Sequence, residues 1–165
     1  MTIEVRELRP HEYAEAGRVT AEAYREFVRP GEPPWEEYLV HLADVAGRAD
    51  RTTILAAVEN GRIVGTATLE LDGRVDEAED GPLRPDEAHI RMLGVDRAAR
   101  GRGVARALMD TCEDLARARD RHLMTLNTTR RMDAAQRMYP ALGYERGPDR
   151  VFDDGFVLLS FSKPL

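Results

Sequence analysis

The chain has 165 residues, 42% of them hydrophobic, and a formal net charge of −6, enough apolar material for one sizeable core and a single domain over 1–165. The negative balance argues against nonspecific nucleic-acid binding. Apolar runs too short to span a bilayer, and a start, Met1-Thr2-Ile3-Glu4-Val5-Arg6, too polar for a secretory signal, lead us to expect a soluble, cytoplasmic protein that meets no membrane.

Thr2 to Leu8 alternates and reads as a first strand. Pro10-His11-Glu12 starts an amphipathic helix that runs to about Phe27, and Pro30 to Pro34 is a break. Trp35, Leu39, Leu42 and Val45 or Ala46 then recur at helical spacing in a second helix, Trp35 to about Ala46. Thr53 to Glu59, Asn60-Gly61 and Arg62 to Leu71 form the strongest hairpin signal of the chain, two β-rich runs joined by the dipeptide that a type I′ turn prefers. Asp72 to Glu87 is a polar, acidic loop, and Ala88 to Val95 is the next strand.

That strand stops at a short polar loop, Asp96-Arg97-Ala98-Ala99-Arg100-Gly101-Arg102-Gly103, and an alanine-rich helix runs from Gly103 to about Arg119. Glycines let backbone N–H groups approach a ligand and a helix start carries partial positive charge, so phosphate suits this turn, with Arg100 and Arg102 as added cationic donors. The turn also has a bland reading as an ordinary strand-to-helix connection. A dinucleotide fingerprint is improbable here, because its third glycine position is Arg106 and the following strand ends in Asn127 rather than an acid; no P-loop pattern occurs. Val104, Leu108, Cys112 and Leu115 share one helix face, which needs a sheet to cover. Cys112, the only cysteine, permits no intrachain disulfide and reads as core, and His11, His41 and His122 have no metal-ligand spacing, so no metal is expected.

Leu123 to Asn127 is a short strand, Met132 to Leu142 a short helix and Phe156 to Ser162 a final strand. The order is thus strand, two helices, three strands, helix, strand, helix, strand. The portion around the glycine turn is a right-handed crossover, so part of the sheet must be parallel. The expectation is an α/β fold with a mixed parallel and antiparallel central sheet and helices on both faces.

This order closely resembles the GNAT superfamily of acyl-CoA-dependent N-acyltransferases. Arg100-Gly101-Arg102-Gly103-Val104-Ala105 fits the family's signature of Arg or Gln, two residues, Gly, one residue, then Gly or Ala. Ala134-Ala135-Gln136-Arg137-Met138-Tyr139-Pro140-Ala141-Leu142-Gly143-Tyr144 is similar to its ending, in which a tyrosine precedes a Leu-Gly-aromatic turn. The resemblance covers about Arg51 to Phe161, and the N-terminal helices by order alone. One position departs from it: many members carry an asparagine seven residues before the tyrosine, where this chain has Met132.

The resemblance implies acetyl-CoA as co-substrate and direct attack by a small-molecule amine in a ternary complex, with a homodimer left open. The loop Arg100, Gly101, Arg102, Gly103, Val104 and Ala105 would take the pyrophosphate. Leu93, Gly94 and Val95, on a strand that splays from its neighbour, would bind the pantetheine arm and polarise the thioester carbonyl. Asn127 and Ala135 would add cofactor contacts. A thiolate with a pKa of about 8.5 is reasonably matched to a phenol of about 10, which makes Tyr139 the candidate general acid. Tyr139 packed at a helix end is the plainer alternative, which the Leu142-Gly143-Tyr144 context disfavours.

The acceptor amine must lose a proton. His89, where many relatives have a glutamate, is a competent base at a pKa of about 6.5, or equally a half-buried histidine making one hydrogen bond; Glu70 and Glu87 are its rivals. Asp72, Asp76, Glu77, Glu79, Asp80, Asp86 and Glu87 on one loop, with Asp153 and Asp154 on another, either attract a cationic amine or merely keep exposed loops solvated. Tyr24, Phe27, Trp35 and Tyr38 either line an acceptor pocket or belong to the core. An acyl-CoA sensor without turnover, and an enzyme acting on protein N-termini, are the alternative functions.

Overall fold

The Asn60-Gly61 turn, with φ of 52° and 75° as a type I′ turn requires, joins β2 (Thr53–Glu59) to β3 (Arg62–Glu70) in an antiparallel pair. β1 (Glu4–Glu7) adds to β2 and β4 (Glu87–Val95) adds to β3, both antiparallel. The computed structural model describes residues 2–29 and 33–165.

From β4 the chain crosses through α5 (Val104–Ala118) to β5 (Leu123–Thr129), which pairs with β4 in parallel. β8 (Val157–Pro164) returns antiparallel to β5, and the two-residue strands β6 (Glu145–Arg146) and β7 (Arg150–Val151) pair with β8. The sheet runs β1-β2-β3-β4-β5-β8-β6 with β7 also on β8, the mixed α/β arrangement expected.

Alternation along β2 sends side chains to two faces. Leu55 and Ala57 join a core with Val104, Leu108 and Cys112 of α5, which also takes in Tyr139 of α6 (Asp133–Ala141). Ile54 and Ala56 join a core with Ala16 of α1 (Tyr13–Arg25). Val45 packs in this second core, and the interior of α2 (Pro33–Ala43), Leu39 and Leu42, packs with Met92. Helices therefore cover both faces.

Several boundaries differ from the sequence expectation. The break at Pro30 to Pro34 lies outside the described residues at 30–32, and from Pro33 the chain is already helical, since proline is well suited to a first helical turn. The second helix stops at Ala43 and a separate turn, α3 (Ala46–Ala49), follows, with the Asp44 carboxylate accepting the Gly47 N–H of its first turn at 3.0 Å. The acidic loop contains one helical turn, α4 (Glu77–Asp80), in which Asp76 accepts the Glu79 N–H at 2.9 Å. β6 and β7 are too short to leave a periodic signal.

Candidate active site

A cleft of about 630 Å³ opens where β4 and β5 part. Their pairing ends at Ile90 opposite Leu126, so the last residues of β4 have β3 on one edge only. Opposite Ala67 of β3, β4 carries an extra residue: the register jumps from Thr68↔Arg91 to Thr66↔Gly94, and Met92 sits at φ 55°. This bulge re-aims the strand at the cleft.

Asp96 N–H donates to the Val64 carbonyl at 2.8 Å. By the alternation of an antiparallel ladder, Gly94 then turns its N–H and carbonyl to β3, whereas Leu93 and Val95 turn theirs to the open edge. Their carbonyls accept from Tyr24 Oη at 3.0 Å and Arg100 Nε at 3.2 Å. The N–H groups aimed at the cleft thus belong to Leu93 and Val95. Gly94 serves packing instead, because a Cβ there would stand 3.0 Å from Ala23 Cβ of α1.

At the other end of the cleft the loop turns through Gly101 (φ 77°) and Gly103 (φ 81°), and nothing lies within 4 Å of where either Cβ would stand. The first bond of α5 runs from Ala107 N–H to the Gly103 carbonyl at 3.0 Å, which leaves the N–H groups of Val104, Ala105 and Arg106 without helical acceptors. Gly101, Gly103, Val104, Ala105 and Arg106 all line the cleft. Backbone donors, a helix N-terminus and open space fit a diphosphate.

The arginines divide their work differently from the expectation. Arg102 does not line the cleft; its Nη1 is held by both carboxylate oxygens of Glu59 at 3.0 Å. Arg100 lines it, but its guanidinium pairs with Glu26 and donates to the Ala23 carbonyl at 3.1 Å, so it ties the loop to α1. Arg106 and Arg137 line the cleft and make no ion pair among the described residues. Arg106 was recognised in the sequence only as a spoiled glycine position, and Arg137 gave no signal.

Tyr139, Asn127 and Ala135 all line the cleft. Tyr144 N–H donates to the Tyr139 carbonyl at 3.0 Å, and the Tyr139 ring is flanked by Phe161 and Tyr144 at 5.5 and 6.1 Å. Tyr144 is itself anchored through Oη to Glu113 at 2.9 Å. Burial pushes the Tyr139 phenol up to about 12, so it stays protonated across the neutral range and is a weaker acid than a free phenol. Asn127 Oδ1 accepts from Ser160 Oγ at 3.3 Å, leaving its amide N–H free for a ligand.

Neither of the two bases favoured from the sequence reaches the cleft. Glu70, fully buried, accepts from Val75 N–H at 2.6 Å and pairs with Arg74 at 3.4 Å and Arg91 at 3.6 Å. His89 is 5% exposed with Nδ1 at 2.7 Å from Thr125 Oγ1. Desolvation, aided by Arg74 and Arg91, holds its imidazole down at about 3. The remaining rival, Glu87, faces Thr125 Oγ1 at 2.6 Å and Arg84 at 3.6 Å.

A folded-state pKa below the free value of about 6.5 means that the unfolded chain takes up this proton first. His89 therefore supports stability above pH 6.5 and withdraws it as pH falls towards 3, by about 3 kcal/mol at pH 4.5. In acid titrations of denaturant midpoints, His89→Gln should show a visibly flatter decline between pH 6.5 and 4 than the parent; equal slopes would contradict this.

The acidic loop is partly neutralised. Asp72 pairs with Arg119 and Arg121, Asp80 with Arg91 and Arg150, and Asp76 caps α4. Asp154 accepts the Phe156 N–H at 2.9 Å. Tyr24 and Phe27 line the cleft, and Tyr38 and Trp35 continue the aromatic row behind them at 6.2 and 6.1 Å. Cys112 is buried in the core, its thiol pushed up by desolvation. No helix among the described residues is long and apolar enough to cross a membrane.

A parted strand pair, a bulge with outward amides and a glycine turn into a helix define a cleft suited to an extended, phosphate-bearing ligand. Residues 19–144 match the family model described as acetyltransferase (GNAT) family, and the chain belongs to that family. Among solved structures, it is similar to an acetyltransferase of the GNAT family from Desulfovibrio desulfuricans, with 15% identity, 99% of each chain covered and a TM-score of 0.75. The PaiA N-acetyltransferase from Thermoplasma acidophilum, solved in complex with coenzyme A, gives 14% identity, full coverage of both chains (100%) and a TM-score of 0.75. Ribosomal-protein-alanine N-acetyltransferase from Brucella melitensis gives 18% identity, 98% of this chain and 99% of that one, and a TM-score of 0.67. At such identities these likenesses speak to the fold. No curated protein matches significantly.

Proposed function

We propose that this chain transfers the acetyl group of acetyl-CoA to a primary amine by direct attack. The observation that carries this reading is the continuity of the cleft, which is lined in one space by Gly101 and Gly103 to Arg106, by Leu93 and Val95, and by Tyr139. The first would grip the diphosphate of the co-substrate, with Arg106 and Arg137 as cations at its rim. The second would hold the pantetheine arm and donate to the thioester oxygen as negative charge builds there, an effect often the largest in catalysis.

The amine nitrogen then forms the C–N bond, the C–S bond breaks, and its electron pair leaves on sulfur. Tyr139 donates a hydrogen bond to that sulfur as negative charge builds there, and the departing thiolate takes up its proton from solvent. The acceptor's own proton goes to water, since His89 and Glu70 are committed elsewhere. A sensor without turnover would share the diphosphate site, and Tyr139, a cleft-lining residue whose hydroxyl has no hydrogen bond to a described residue, favours the enzyme.

Calorimetry with CoA tests the reading first: binding should be measurable at micromolar to low millimolar levels. Gly103→Val, which forces a β-branched residue into a left-handed conformation at the site, should weaken binding at least ~10-fold while leaving the far-UV spectrum intact. No heat with the parent protein at millimolar CoA sinks the proposal.

A further inference from the structure

Where the amine must arrive, the charge of the wall is set by arginines. Arg91 lines the cleft; its Nη1 reaches Asp80 at 2.8 Å and Glu70 at 3.6 Å, and its buried Nε has no hydrogen-bond partner among the described residues. Both carboxylates are shared, Glu70 with Arg74 at 3.4 Å and Asp80 with Arg150 at 3.1 Å. Behind them Arg48, 2% exposed, has no carboxylate within ion-pair distance among the described residues and donates to the carbonyls of His41, Leu42 and Asp44 at 3.0 Å and to Thr68 Oγ1 at 3.3 Å.

Four guanidinium groups thus face two carboxylates. The other acids on the packed elements lie outside ion-pair contact: Asp44 accepts the Gly47 N–H while its charge still favours the ionised Arg48, Asp76 caps α4, and Glu79 is exposed. Arg91 and Arg48 both act to lower the Tyr24 and Tyr38 phenols, although burial dominates and raises both, and at Arg91 burial is outweighed by Glu70, Tyr38 and Asp80, which raise it. A polyamine or other purely cationic acceptor would be repelled here, whereas an anion would complete the set. The neighbouring surface is aromatic, with Tyr24 and Phe27 edge to face at 6.3 Å in the cleft lining.

We propose that the acceptor is an amine that also carries a carboxylate, of the amino-acid class, with the carboxylate at Arg91 and an apolar side chain against Tyr24 and Phe27. This rests on the acetyltransferase reading above. Charge-assisted hydrogen bonds from a guanidinium to a carboxylate supply the discrimination, and a site built for such a group rejects its uncharged analogue.

The test compares phenylalanine, phenylalaninamide and phenethylamine as acceptors by release of CoA thiol, and the products N-acetylphenylalanine and N-acetylphenethylamine as ligands of the CoA-saturated protein by calorimetry. Phenylalanine should exceed both analogues that lack the carboxylate in kcat/KM by ~10-fold or more, and its acetylated product should bind correspondingly tighter. Arg91→Gln should bring both ratios close to unity with CoA affinity unchanged, and Arg91→Lys should retain part of the preference, which separates recognition from misfolding. CoA binding with equal or reversed preference overturns the carboxylate site and leaves the transferase standing. Failure of the parent protein to bind CoA overturns the transferase and this proposal with it.

Discussion

Tyr139→Phe should lower kcat by roughly 10²- to 10³-fold, within the range that a positioned general acid contributes, while CoA affinity changes by less than about twofold. The substitution removes one oxygen and no packing surface, so the contacts of the ring with Phe161 and Tyr144 at 5.5 and 6.1 Å persist. The measurement is steady-state thiol release beside calorimetric CoA titration, with melting temperature as a control. The elevated phenol pKa of about 12 shapes the expected pH profile. Tyr139 must be protonated to donate, so it imposes no descending limb until pH approaches 12, and the rising limb follows deprotonation of the amine. The same elevation makes the phenol less acidic than a thiol of about 8.5, so it aids departure mainly through a hydrogen bond to the developing thiolate. That places the expected loss at the lower part of the usual range. A rate within threefold of the parent would remove Tyr139 from the mechanism.

Glu70→Ala should be the most damaging single change to stability, at about 3–5 kcal/mol, the usual cost of removing one partner from a buried ion pair. At this chain length the melting temperature should drop by on the order of 10 °C. The loss strands Arg74 and Arg91 beside an empty site and leaves the Val75 N–H without its 2.6 Å acceptor. Glu70→Gln retains an acceptor and should lose less. Residual Glu70→Gln enzyme should keep the pH-rate profile of the parent, because residue 70 does not line the cleft; disappearance of the rising limb would instead make Glu70 the base.

These two residues differ in how far the sequence placed them. The position of Tyr139 in the cleft wall was legible because the Leu142-Gly143-Tyr144 turn is a local signal, and those of Gly101 and Gly103 because left-handed turns are a local backbone need. Glu70 and His89 were sought at the site because His89 stands where many relatives carry a glutamate and Glu70 closes the adjacent strand, and they do face each other across β3 and β4. Which face of the sheet is dry, and which buried cations stand nearby, depends on α4, Arg74 and Arg91 folding over them. Arg102 likewise lies in the right loop but turns to Glu59, a partner 43 positions earlier in the chain.

By itself the amino-acid sequence determined the order of elements, the hairpin, the glycine turn into α5, and the tyrosine turn after α6, since each depends on periodicity or on backbone conformations that few residues adopt. Only the tertiary structure decided which amides of β4 point outward, because the bulge at Met92 resets the alternation. It alone also decided the fate of the charged groups, since an ionisable side chain acquires its role from partners and burial supplied by distant segments.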